Sequence, residues 1–244
     1  MTDPHPPAPE PRARGLSDLS DDALGFGALE LVTARDVTLR PRAVLEAWMT
    51  QGPSGGGRYA RPLRLYLALN AILMLMLFLR GGSDFMLAGA PAEYLDPLIA
   101  ASGKSRDAFM ADADNWMSLV MVPLTSLFYA FAAAPLLRWW DPEDLGWRRG
   151  FRAAFGWLCA VTVLLLPFAW WMSGATTGPG ALLGAAALFV ISVATFLRMG
   201  RGRWWRSPVW GVVKGIGLWA AIQLGAGVGF LPVLAIGLLA GRFA

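Results

Sequence analysis

Cysteine, histidine, lysine and buried acid are all scarce in this chain, and each shortage removes a class of function. One cysteine, Cys159, and one histidine, His5, occur in 244 residues. A single thiol cannot staple a fold, and a thiol and an imidazole so far apart do not compose a zinc set. Cys159 lies in an apolar run and reads as a small hydrophobe between helices. No metal and no other cofactor is expected. The 17 acids end at Asp144, and none falls in a long apolar run. Pumps and proton-coupled transporters place ionisable groups at membrane depth. Membrane proteases need a nucleophile with its base, or a metal, in the same place. The chain therefore reads as a non-enzyme. The first sixty residues also lack an apolar h-region, so no cleavable signal is expected and the N-terminal segment is assigned to the cytoplasm.

What is present is apolar. Hydrophobic residues make up 56% of the chain and charged residues 16%, against about 25% charged in ordinary soluble domains. The reading is an all-α integral membrane protein with about five transmembrane helices in a bundle. A disordered proline-rich tail is expected at 1–15, with five prolines. A cytoplasmic segment at 16–62 follows. In it, Ser17 or Ser20 caps a helix whose first turn holds Asp18, Asp21 and Asp22, and whose apolar face is Leu24, Phe26, Leu29, Leu31 and Val32. A second helix runs from Pro41 to Met49 with a stripe of Val44, Leu45, Trp48 and Met49. This segment either rests on anionic headgroups or packs on the bundle's ends. The glycine-rich stretch at 52–57 reads as a flexible hinge. The transmembrane domain is 63–244, with spans at about 63–79, 116–137, 151–172, 181–197 and 217–239. Between the first two, a short helix near 92–101 is interrupted at Asp96-Pro97, and Ser105 caps a helix leading into the second span. For the apolar stretch 210–239 a re-entrant hairpin at Gly225–Gly227 is the alternative to one tilted span.

Direction follows from the bases. With the N-terminus inside, 17 of the 21 lysines and arginines lie on the cytoplasmic side and 4 on the other, a strong positive-inside bias. Trp139, Trp140, Trp147, Trp204, Trp205 and Trp210 fall at the inner interface, and Trp116, Trp170 and Trp171 at the outer one, as in an aromatic belt. The net charge of +4 is explained by topology, so no nucleic acid is expected as partner. The partner that composition requires is the lipid bilayer, with anionic headgroups at the inner face. Arg58, Arg61, Arg64, Arg148, Arg149, Arg201 and Arg203 are the candidates to meet those headgroups.

Inside the first span Asn70 is the most polar residue, about 9 Å deeper than Arg64 at 1.5 Å per residue. Tyr66 precedes it by one turn on the same face. Tyr59, Pro62, Tyr66 and Asn70 thus make a candidate ligand or partner constellation, though helix-to-helix hydrogen bonding explains Asn70 as well. Gly225 and Gly229, and Gly211 and Gly215, form GxxxG pairs suited to close helix approach. Asp112-Ala113-Asp114 has the spacing of a metal-binding pair without a third ligand and reads as solvated helix surface. Asp141-Pro142-Glu143-Asp144 reads as a capped helix start.

The run from Pro41 through Trp48 to Arg58, Tyr59, Pro62, Leu65 and Tyr66 resembles the core of the DUF3667 family of bacterial membrane proteins. That resemblance covers about forty residues and implies a polytopic inner-membrane protein without an established activity. Members often carry an N-terminal zinc ribbon of paired CxxC motifs, which this chain lacks. The five-span arrangement is similar to Yip1-type membrane proteins in architecture alone. Two functions are expected. The first is a scaffold or assembly partner acting through segment 16–62. The second is a small permease or lipid-handling subunit with a pathway lined by Asn70, Thr125, Ser126 and Tyr129 near Pro123 and Pro167. The abundance of arginine over lysine, 19 to 2, fits a GC-rich bacterial source and hence the bacterial cytoplasmic membrane.

Overall fold

Eight helices follow one another among the described residues, with no strand: α1 (Ala28–Leu39), α2 (Pro41–Thr50), α3 (Pro62–Leu79), α4 (Ala92–Ser102), α5 (Arg106–Trp140), α6 (Gly146–Met172), α7 (Gly178–Gly200) and α8 (Pro208–Phe243). The computed structural model describes residues 27–79, 87, 90–143, 146–172 and 178–243. The tail expected at 1–15 lies outside them. So do Ser17, Asp18, Ser20, Asp21, Asp22, Leu24 and Phe26 of the following segment, and Asp144.

Helices α3, α5, α6, α7 and α8 are long and apolar enough to cross a membrane. Only 22–44% of each one's most apolar window is buried. Water would otherwise meet side chains such as Leu67, Phe78, Leu182, Val190, Leu224 and Leu231, all exposed. A soluble protein does not leave that much contiguous apolar surface uncovered, so lipid is the medium that fits. The protein is an all-α, multi-pass membrane bundle.

The central element is α6, which touches α1, α2, α3, α5 and α7. Ala153, Ala154, Trp157, Cys159 and Ala160 are its buried face. Helix α8 is one unbroken helix of 36 residues through Gly225–Gly227 and Pro232, so the hairpin alternative falls away. At 1.5 Å per residue it measures about 54 Å, longer than a bilayer core of about 30 Å, and it runs antiparallel to the similarly long α5. What brings the two together is glycine. Gly225 and Gly229 lie on Phe128 and Ala132 of α5, and Gly241 lies on Phe109, while Gly211 and Gly215 meet Leu197 and Phe196 of α7. A Cβ at Gly225 would stand 3.0 Å from both the Phe128 carbonyl oxygen and the Ala132 Cβ. Backbone cannot rotate away, so Gly225→Leu should push the helices apart. We expect a loss of about 1–3 kcal/mol, read as a lowered unfolding midpoint in detergent.

The N-terminal helices dock on the ends of the bundle. The stripe Val44, Leu45, Trp48 and Met49 is buried against α6 and α7, so α2 packs on the bundle. Helix α1 reverses the expected face: Leu29, Leu31 and Val32 are exposed, while Glu30, Thr33 and Asp36 are buried. The reason is hydrogen bonding. Glu30 accepts the Gly27 N–H at 2.9 Å and pairs with Arg64 at 2.8 Å, and the Thr33 hydroxyl accepts the Ala60 N–H at 2.8 Å. Thr33 thus satisfies the backbone just before α3 and Glu30 the backbone at the start of α1, which no apolar face could do. The stretch expected to be a loose hinge at 52–57 is a hydrogen-bonded turn. Gly52, Gly55, Gly56 and Gly57 hold positive φ, and Ser54 accepts from both Gly57 and Tyr59 at 3.0 Å.

Three local expectations are corrected elsewhere. Asp96-Pro97 does not interrupt α4, because a proline here removes one donor without ending the helix. Asp141 does not start a helix. It ends α5 as its C-cap, and its carboxylate is shared between Arg203 and the Glu143 N–H, the latter at 3.1 Å, in the connection that leads to α6. Trp204 is not an interfacial belt residue but a core one, stacked on Phe196 at 5.4 Å.

Candidate functional site

Five membrane-length helices enclose a cavity of about 430 Å3, in the size range of small-molecule sites. Its walls change character along its length. Tyr66 and Asn70 of α3, Thr125, Ser126 and Tyr129 of α5, and Ser192 of α7 line the end nearer α1 and α2. Leu77, Met121, Ala169 and Phe230 line the other end, with Thr162 and Gln223 between. From Tyr66 to Leu77 is eleven residues, about 16 Å along α3. Among the described residues, no carboxylate, lysine, arginine, histidine or cysteine is on this wall.

The polar end is prearranged. The Tyr66 hydroxyl is in hydrogen-bonding reach of the Ser126 and Asn70 side chains, and the Tyr129 hydroxyl of Thr125. The Thr125 hydroxyl also donates back to the Met121 carbonyl at 2.6 Å, a local bond available to threonine in an apolar helix. Pro123, two residues earlier, remains inside α5. Phe155 packs on the Tyr66 ring with centroids 5.5 Å apart and fixes its rotamer. Trp157 and Trp219 also line the cavity, and among the described residues their indole N–H groups have no partner. A buried donor left unmatched costs about 1–3 kcal/mol, so a cavity beside two of them favours a molecule that brings an acceptor.

A second, lipid-facing hollow of about 240 Å3 lies outside the seam between α3 and α5. It shares Tyr66, Asn70, Val122 and Ser126 with the inner cavity. Those four residues stand between the two hollows.

The constellation expected from sequence divides in two. Tyr66 and Asn70 line the cavity. Tyr59 and Pro62 belong to the α2 docking site, where Tyr59 meets Trp48 edge-on at 6.4 Å and the Pro62 carbonyl accepts from the Cys159 thiol at 3.3 Å. Thr125, Ser126 and Tyr129 stand where the permease reading needs them. Trp157, Thr162, Ser192, Trp219 and Gln223 were missed, although Thr162, Ser192 and Gln223 carry the available signal: uncharged polar residues inside apolar runs.

The headgroup candidates also divide. Arg58, Arg61, Arg148, Arg149 and Arg201 are exposed, with Arg58 over the Tyr59 ring at 5.4 Å and Arg149 3.9 Å from Glu143. Arg64 is exposed but paired with Glu30. Arg203 is committed inward: its side chain is 10% exposed, and its guanidinium is bound by Asp141 and, at 3.2 Å, by Glu143. Asp112, of the acidic pair, is held by Lys104 at 2.6 Å. Comparison of the chain with protein-family models, with curated proteins and with solved structures produced no match.

Proposed function

We propose that this protein is a small permease or lipid-handling subunit that takes an uncharged amphiphile into its bundle, in the cytoplasmic membrane of a bacterium, with the N-terminus inside. The observation that carries this reading is the cavity beside Asn70, polar at one end and apolar at the other. A hydrocarbon tail fits along Leu77, Met121 and Phe230, and a small hydrogen-bonding head fits among Tyr66, Asn70, Ser126 and Tyr129. A charged head does not fit, since nothing on the wall would offset its desolvation. The α3–α5 seam supplies a direct approach from lipid, with Pro123 on its outer side. Among the described residues the wall holds no acid–base pair and no charged nucleophile, which favours binding or transfer over catalysis. Membership of the DUF3667 family belongs to the same proposal and concerns location.

The test is extraction of the purified protein and identification of what leaves with it. Wild type should release a neutral, apolar molecule bearing one or two hydrogen-bonding groups. The double variant Asn70→Leu, Ser126→Leu should hold it about tenfold less tightly, since two hydrogen bonds net about 1.4 kcal/mol or more. A wild-type protein that yields no such molecule, or a double variant that keeps it, overturns the reading.

Exposed Leu29, Leu31, Val32 and Leu39 of α1 favour a second reading, as a scaffold or assembly partner. Because α2 is part of the core, the surface substitution Leu31→Glu is its proper test, with loss of a co-purifying protein as the supporting result.

A further inference from the structure

Where α1 turns into α2, the chain leaves a concavity of about 750 Å3 against the end of α7. Four arginines line it: Arg40, Arg42, Arg198 and Arg201. Glu46, its one acidic residue among the described ones, already lies 3.7 Å from Arg203. Among the described residues, no carboxylate stands within ion-pairing distance of any of the four. Like charges lining one hollow repel one another, and among the described residues no carboxylate is placed to relieve them.

The site is partly built. Arg198 donates to the carbonyl oxygens of Thr38 and Leu39, at 2.9 and 3.4 Å, which ties one wall to the end of α1. The Arg42 guanidinium lies beside Gly202, where a Cβ would come within 3.3 Å of it and where φ is +82°. Arg42 and Arg201 also line an adjoining hollow of about 260 Å3. The first turn of the ten-residue α2 contributes Pro41, Arg42 and Ala43, and Arg40 caps it without a side-chain hydrogen bond. The backbone N–H groups of Arg42 and Ala43 have no partner within the helix, while Pro41 has no N–H to offer. The remaining walls, Leu39, Leu197 and Trp205, are apolar, and Leu197 and Arg198 stand at the end of a membrane-length helix.

We propose that this concavity binds the phosphate of an anionic phospholipid drawn from the leaflet on the α1–α2 side. Arginine forks match phosphate oxygens, while Leu39, Leu197 and Trp205 meet the glycerol and upper acyl region. A soluble anion would leave those apolar walls unused, which decides for lipid. This site is separate from the cavity inside the bundle and does not depend on what that cavity holds.

The experiment reconstitutes the full chain in phosphatidylcholine nanodiscs containing a minority of phosphatidylglycerol and counts retained lipids by native mass spectrometry. Wild type should keep one phosphatidylglycerol through delipidation. Arg42→Gln with Arg201→Gln should weaken it about thirtyfold, the effect of two arginines at a membrane surface. Arg148→Gln with Arg149→Gln should leave it unchanged. Equal losses from the two pairs would mean diffuse attraction and overturn the site, as would retention by the first pair. Inorganic phosphate that displaces the lipid at equal concentration would overturn the lipid assignment. Should the first pair fail to fold, brominated phosphatidylglycerol decides the matter in protein keeping all four arginines. Wild type should then show more quenching than Trp205→Phe, whose other tryptophans are unchanged, and no difference between them overturns the proposal.

Discussion

Trp48→Ala should destabilise this protein more than any change on its lipid-facing surface. The indole is fully buried, donates to the Ala60 carbonyl at 3.1 Å, and lies over Gly156 of α6, where a Cβ would stand 3.0 Å from the ring. On the other side Tyr59 meets it edge-on, and the Trp48 carbonyl accepts from Arg152 at 2.8 Å. Truncating a buried tryptophan costs about 3–5 kcal/mol, and the orphaned Ala60 carbonyl adds about 1 kcal/mol. Trp48→Phe keeps most of the volume and loses the donor, so it should recover most of the stability. Unfolding midpoints in one detergent, for wild type and both variants, give the comparison. Equal midpoints for Trp48→Ala and wild type would mean that α2 does not anchor on α6. The docking of α2 also positions Pro62 and hence the start of α3, so the same variant should disturb Tyr66 and Asn70, four and eight residues on.

That dependence explains what could and could not be read from the chain. The five apolar segments were legible because a bilayer selects length and hydropathy, and both are local properties of sequence. Helix α2 was legible because Pro41 marks its start and its stripe repeats at helical spacing. The buried face of α1 was not. Leu29, Leu31 and Val32 look like a core face by hydropathy, and only the partners Arg64 and Ala60, far along the chain, make Glu30 and Thr33 the buried ones. The glycines at 52–57 suggested looseness, yet their positive φ values serve a fixed turn. Half of the cavity was visible as Asn70 with the polar residues of α5. Its indole donors were hidden, since the neighbours of Trp157 and Trp219 are set by packing and not by spacing.

Arg203 is where distant segments meet. Its guanidinium binds Asp141 and Glu143 from the α5–α6 connection and reaches Glu46 of α2 at 3.7 Å. The Asp141 side chain is fully buried. Removing the cation therefore leaves a buried charge whose remaining partner among the described residues is the Glu143 N–H, at 3.1 Å. Arg203→Met should cost about 3–5 kcal/mol, the usual result of breaking one side of a buried pair. Asp141→Asn in the same background removes the stranded charge and should restore much of that loss, so the two changes should couple strongly in a double-mutant cycle. Arg203→Lys should fall between, because a point charge cannot span two carboxylates as a planar fork does. Burial works against the charge on Arg203, but Asp141, then Glu143 and Glu46, outweigh it and raise the pKa above its ordinary value. A cation whose folded pKa is raised contributes its stability in full below the unfolded value and loses it only at higher pH. No workable alkaline pH reaches that range, so the penalty of Arg203→Met should be the same at pH 7 and pH 9. A penalty that shrank between those values would mean that some other titrating group, and not this guanidinium, joins α2 to the α5–α6 connection.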